Sequence, residues 1–306
     1  MMVDLAEIEK IAKLDLNINA VYIEPIQMGV MTYKYLIKEK DRGEYIIRFY
    51  PDNLQRVINF EPQIIKRFYL LGAKVPKILS DSQGKKVKYN YILYKKLSGD
   101  PLIKSIDNLP LDSLKLIISS LCDNLAIMRR LNFKGFGPLI SDIYGQHPTW
   151  KSYIESSIKE GVENLHFLRL GNFTNEKIKQ YVNSNICSIT KLMSEPKLVW
   201  TDINPDNIIV NDRQLSGIID FDGVISGNPI MEIGYLYCRQ GNSNFFKYYL
   251  EKCKYDVEIR QEIVYFFTIF RVLQIAKYWQ FPLPTGLKRD PLENVFPGFI
   301  DVINKI

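Results

Sequence analysis

The stretch Leu198–Val210, LVWTDINPDNIIV, decides the reading: Asp202 and Asn207 stand five residues apart, and an apolar run follows. Thirteen residues beyond Asn207 comes Asp220, closing a second apolar run, LSGIID (215–220). Short apolar runs rich in β-branched residues read as strands. Paired as a hairpin, they bring Asn207 and Asp220 side by side. Asp202, at the head of the tight DINPDN loop, is placed to accept or orient a hydroxyl proton. The carboxamide oxygen of Asn207 can turn back toward a metal, and Asp220 offers a hard anionic oxygen of the kind Mg²⁺ takes. Plainer readings exist beside these. Asp202 can cap a turn through its side chain, Asp220 can simply end a strand, and Asp222 is either a second acid near the metal or a solvated one.

The 306 residues are enough for a large core or for two lobes sharing a cleft, and 46% hydrophobic with 24% charged residues describes an ordinary globular chain. No apolar run approaches the ~18–20 residues that span a bilayer, so no membrane partner is expected. The start, MMVDLAEIEKIAKLDL, mixes acids with lysines and has no apolar stretch of the secretory kind; it reads as an amphipathic helix. Cys122, Cys187, Cys238 and Cys253 form no CxxC pair, which suggests neither a zinc site nor a disulfide framework and points to a reducing cytoplasm. His147 and His166 match no metal-ligand spacing. The net charge of +6 is uneven: residues 198–306 carry 11 Lys/Arg against 13 Asp/Glu, leaving 29 against 21 before them. A basic first part suits an anionic cofactor, and the slightly acidic last part suits a neutral or cationic substrate. No basic run exceeds GKKVK (84–88) and no nucleic-acid reader motif is present, so a nucleic-acid partner is not expected.

The first hundred residues read as mostly β: AVYIEPI, MTYKYLIKEK and EYIIRFY are β-branched and aromatic runs, with Asp41–Gly43 as a hairpin turn. Helical spacing then runs through Leu54, Val57, Ile58, Ile64, Ile65, Phe68 and Leu71, with Gly72 as C-cap; Pro62 either starts a second segment or kinks one helix. KYNYILYKKLSGD returns to strand. Beyond it, LDSLKLIISSLCDNLAIMRRL, TWKSYIESSIKEGVENLHFL, TNEKIKQYVNSNICSITKLM and VEIRQEIVYFFTIFRVLQIAKYW read as helices.

Asp-x₄-Asn followed by an IDF resembles the aminoglycoside phosphotransferase and choline kinase-like family, small-molecule relatives of the protein kinases. YIIRFYP, FEPQIIKRFYLLGAKVPKIL, YILYKKLSGDPL, LAIMRRLNFKGFGPL, TWKSYI and GNPIMEIGYL have counterparts in the same order, over roughly residues 20–280. The resemblance implies an α+β, two-lobed protein-kinase-like fold: a small β-rich lobe over residues 1–97 with the hinge at its end, and a mainly helical lobe over 98–306. It implies transfer of the γ-phosphoryl of ATP or GTP, with Mg²⁺, to a hydroxyl of a small molecule such as an aminoglycoside-like antibiotic or an amino alcohol. Asp202 becomes the catalytic carboxylate, and Asn207 and Asp220 the metal ligands. Arg48 would contact the nucleotide phosphates and pair with Glu61, and Gly29 would lie in the loop over them. Ile46 would cover the base from above, Ile209 and Ile219 would floor it, and the backbone of Tyr94, Lys95, Lys96 and Leu97 would hydrogen-bond it. The chain departs from the family where Trp200 and Thr201 replace His-Gly, Arg48 replaces lysine, and Asn228 and Glu232 replace aspartates. Those departures motivate the alternative, a kinase-shaped protein that binds nucleotide or a partner without turnover.

Overall fold

The computed structural model describes residues 3–18, 22–26, 31–39, 43–192, 195–255, 258–281, 283 and 288–306. Helix α1 (Leu5–Leu16) starts at Asp4, whose carboxylate accepts from the Ala6 amide, and stops at Asn17 in the left-handed conformation. Strands β1 (Tyr22–Ile26), β2 (Tyr33–Glu39), β3 (Gly43–Tyr50), β4 (Ile78–Asp81) and β5 (Asn90–Lys95) form an antiparallel sheet in the order β1-β2-β3-β5-β4. Ile47 and Phe49 of β3 pack with Ile8 and Ile11 of α1 in one core. Alternation then turns Ile46, Arg48 and Tyr50 to the opposite face. That face meets helix α2 (Gln55–Leu70), which carries Glu61 in its second turn.

Pro62 lies inside α2 without breaking it. A proline there removes the donor for the carbonyl four residues back. The side-chain amide of Gln83 supplies it instead, donating to the Ile58 carbonyl at 2.7 Å. The helix ends as expected at Gly72, which takes a positive φ of 86°, with the Ala73 amide donating back to Phe68 at 3.0 Å.

The chain leaves the sheet through Gly99, where φ is 99° and a Cβ would lie 2.0 Å from the Val210 carbonyl oxygen; only glycine fits. Next come β6 (Asp100–Pro101), α3 (Leu111–Met128), β7 (Phe136–Leu139), β8 (Gly145–His147), α4 (Trp150–Glu163) and α5 (Asn172–Thr190). Strands β9 (Lys197–Val199), β10 (Ile208–Asn211), β11 (Gln214–Ile218) and β12 (Ile225–Gly227) follow, then α6 (Met231–Gln240), α7 (Asn244–Lys252), α8 (Gln261–Ala276), α9 (Leu292–Val295) and α10 (Pro297–Lys305). The expected β10–β11 hairpin forms, with β6 added on its other side, and Asp212 and Arg213 at its turn both take positive φ. A second small sheet runs β8-β7-β12-β9.

The larger hydrophobic core is continuous from Phe60, Ile64 and Phe68 of α2 through α3 and α4 to α8. The turn after α2 is also tied across: the Lys74 amide donates to Asn124 of α3 at 2.6 Å, and the Ile218 amide to the Lys74 carbonyl at 3.0 Å. One expectation fails. Cys122 and Cys253 are joined in a disulfide between α3 and the end of α7. Their 131-residue separation hides a contact that only helix packing creates, and the cysteine argument for a reducing compartment lapses with it. Among the described residues no helix is long and apolar enough to cross a membrane.

Candidate active site

Asp202 follows β9 on a loop that closes in a single helical turn at Pro205–Asn207. Asn204 shapes that turn by accepting from the Asp206 amide at 2.7 Å. Asn207 then reaches back, its side-chain nitrogen 2.7 Å from Asp202 Oδ2 and 3.0 Å from the Asp202 carbonyl. With the nitrogen so engaged, its oxygen is the atom left to face a cation. The hairpin extends one step past β11, where the Ile219 amide donates to the Asn207 carbonyl at 3.0 Å. Asp220 comes immediately after, at a φ of 68° that non-glycine residues seldom adopt.

The opposite wall is the sheet. Arg48 is buried, and four of its five N–H donors are engaged: Nη1 donates to Glu61 at 2.9 Å, Nη2 to Asp220 at 3.0 Å and to Asp222 at 2.7 Å, and Nε to Thr32 at 2.9 Å. Lys34 lies directly across β2–β3 from Arg48 and 3.7 Å from Asp220 Oδ2. Two cations opposite each other on one sheet face repel, and the carboxylates between them offset it. Glu61 also accepts from the Tyr50 hydroxyl at 2.6 Å and the Phe221 amide at 3.2 Å. Burial acts to raise Asp220, but Arg48 and Lys34 outweigh it and hold its carboxyl down at about 2. Burial and the charge of Asp220 push Asp222 up to about 8, against Arg48.

Trp200 and Thr201, the departures that motivate a binding-only alternative, both brace this site. The Trp200 indole donates to the Asp220 carbonyl at 3.1 Å and the Thr201 hydroxyl to the Gly223 carbonyl at 2.7 Å. Trp200 also stacks on Phe221, which packs against Phe68 of α2. Glu232, buried on α6, accepts from the Trp200 amide at 2.8 Å and the Tyr249 hydroxyl at 2.9 Å and pairs with Arg129. The Asp202 loop, the Asp220 loop and α2 thus form one packed unit.

The structure therefore brings together Asp202, Asn207, Asp220, Arg48 and Glu61. Ile46 and Ile209 are buried yet belong to neither hydrophobic core, and Ile219 is half-buried. The Tyr94 phenol is pushed above its usual range by burial and lies within reach of Arg48, Asp220 and Glu61. Of the four expected hinge amides, that of Lys95 donates to Lys77 O and that of Lys96 to Glu44 O, so these two are already engaged within the protein. Gly29 lies outside the described residues. Sequence reasoning missed Lys34, Thr32 and Tyr50; the last sits two residues after Arg48 and so on its face, a signal the period of two carries. Arg239, whose Nη2 is 3.2 Å from Asp202 Oδ1, gave no signal at a separation of 37 residues.

Oxygen donors of two carboxylates and a carboxamide suit a hard divalent ion. Among the described residues no trio of His, Cys, Asp and Glu is arranged for a metal, so a cation here would draw on Asn207.

The architecture matches solved structures over nearly its whole length. The GDP complex of wild-type aminoglycoside 2'-phosphotransferase-IIIa is 18% identical with a TM-score of 0.70, covering 99% of this chain and 98% of that one. A thermostable mutant of aminoglycoside phosphotransferase APH(4)-Ia, in ternary complex with AMP-PNP and hygromycin B, is 13% identical with a TM-score of 0.69, over 98% and 96%. The fold is thus the two-lobed protein-kinase-like one. The model of the phosphotransferase enzyme family APH matches residues 23–252, and the chain belongs to that family. No curated protein matches it significantly in sequence.

Proposed function

We propose that this protein moves the γ-phosphoryl of ATP or GTP to a hydroxyl of a small molecule, with residues 1–97 holding the nucleotide and 98–306 the acceptor. The observation that carries this reading is the meeting of the Asp202–Asn207 pair with Asp220 and the Arg48–Glu61 pair at one place. Asp202 would orient the acceptor hydroxyl and take its proton. Arg48 and Lys34 would face the phosphates, with Ile46, Ile209 and Ile219 around the base. Mg²⁺, held by Asn207 and Asp220, would neutralise phosphate charge when bound. Positioning and charge neutralisation would carry most of the rate. A cytoplasmic setting, rich in nucleotide, is the compartment this chemistry needs.

A second reading, nucleotide or partner binding without turnover, draws on Arg48 lying against both Asp220 and Asp222. A mass screen of pooled sugars, amino alcohols, hydroxy acids and antibiotics with nucleotide and Mg²⁺ separates the two. A phosphorylated product, reduced about 10²–10⁴-fold in Asp202→Ala, is the expected result for a general-base carboxylate. Tight nucleotide binding with no product from any pool favours the second reading.

A further inference from the structure

The two oxygens of Asp202 have different neighbours. Oδ2 receives the Asn207 amide at 2.7 Å, and Oδ1 receives Arg239 Nη2 at 3.2 Å. Each oxygen keeps a second lone pair, and the longer, weaker contact is the one on Oδ1; a hydroxyl that approaches on that side arrives beside a guanidinium. Arg239 stands in the last turn of α6, 33% exposed, with its charge 5.5 Å over the ring of Phe296. Trp279 lies 6.0 Å from Phe296, and Arg289 stacks 4.6 Å over Trp279. Two arginines thus flank a pair of aromatic rings, in the order Arg239–Phe296–Trp279–Arg289, leading away from Asp202.

The platform is closely packed. A Cβ on Gly298 would lie 1.8 Å from the Tyr237 carbonyl oxygen, so α10 and α6 touch backbone to backbone and fix Phe296 beneath Arg239. The planar fork of Arg239 has more donors than its one bond to Asp202 uses, and such a fork suits carboxylate or phosphate. Asp206 also lies within its electrostatic reach. The slight acid excess of residues 198–306, which by itself suits a neutral or cationic substrate, vanishes over the whole of 98–306, where 23 of the 40 Lys and Arg meet 23 of the 34 Asp and Glu. A polycationic acceptor calls for the reverse, an excess of acid and no cation against the reacting oxygen.

We propose that the acceptor carries an oxyanion, a carboxylate or a phosphate, close to the hydroxyl that is phosphorylated, and that Arg239 is the specificity residue that holds it. This rests on the phosphotransferase reading above. The test is steady-state phosphorylation of three acceptor sets: hydroxy acids, sugar and alcohol phosphates, and aminoglycosides with amino alcohols. The enzymes are the wild type, Arg239→Gln and Arg239→Lys.

The expected result is turnover confined to the oxyanion sets, with the set used telling carboxylate from phosphate. Arg239→Gln should raise KM ~10–100-fold, the loss of a charge-assisted hydrogen bond, with a smaller change in kcat. Arg239→Lys should recover part of it. Wild-type turnover of the cationic set, or an Arg239→Gln enzyme that uses oxyanion acceptors with unchanged KM, overturns the proposal alone. No product from any set overturns the phosphotransferase reading, and this proposal with it.

Discussion

Trp200 shows how one side chain can keep a loop's geometry while changing its chemistry. It fills buried volume, stacks on Phe221 and lends its indole N–H to the Asp220 carbonyl. Trp200→Phe keeps an aromatic ring but leaves that carbonyl without its donor. We expect a loss of about 1–3 kcal/mol in denaturant unfolding from cavity and hydrogen bond together. Turnover should fall about tenfold or more as Asp220 loses its brace. An unchanged kcat would show that the indole only packs. At this scale the spacing of Asp202, Asn207 and Asp220 was legible in sequence, because each is fixed by a short local hairpin and loop. The partners Lys34, Thr32 and Arg239 were not, because they arrive through strand register and helix packing.

Among the elements, α1 is held to the sheet by its apolar face and by one polar tie, the Asp15 carboxylate. Asp15 accepts from Ser80 at 2.6 Å, Tyr91 at 2.5 Å and Lys85 at 2.9 Å, joining the helix to β4 and β5. Burial acts to raise its pKa, but those bonds outweigh it and leave it below 3.8. A lowered folded-state value makes the contribution complete above that pH and lets it fade as pH falls through the folded value. Asp15→Asn should thus cost about 1.5–3 kcal/mol at neutral pH, the range for bonds to a charged group. The deficit should shrink as unfolding is measured at progressively lower pH below 3.8; a deficit independent of pH would mean that the charge does nothing. Helices α1 to α5 and α8 announce themselves by periodicity. Strand β4, only four residues long, carries no pattern of its own and exists because β5 pairs with it. The Cys122–Cys253 bond is invisible for the same reason: it belongs to the packing of α3 on α7, not to either segment.

Across the whole molecule, Arg48, with Lys34 beside it, ties the sheet to the Asp220 loop, and its removal would leave Glu61, Asp220 and Asp222 without the guanidinium they share. Arg48→Ala should lower stability by about 3–5 kcal/mol, the cost of breaking a buried ionic pair. Mg²⁺ should raise the unfolding temperature of that variant more than it raises the wild type's. Equal shifts would place the ion elsewhere. The order of elements follows from the sequence well enough to imply a kinase-like fold, whereas the closeness of three carboxylates around one guanidinium depends on how the sheet meets the larger half. Equilibrium binding of a non-hydrolysable ATP analogue, titrated with Mg²⁺ in the wild type and in Asp220→Ala, tests that meeting point most directly. The account predicts tight binding that needs Mg²⁺ in the wild type and a Mg²⁺ dependence that disappears in the variant. Nucleotide held equally well without the ion, or equally well by both proteins, would contradict it.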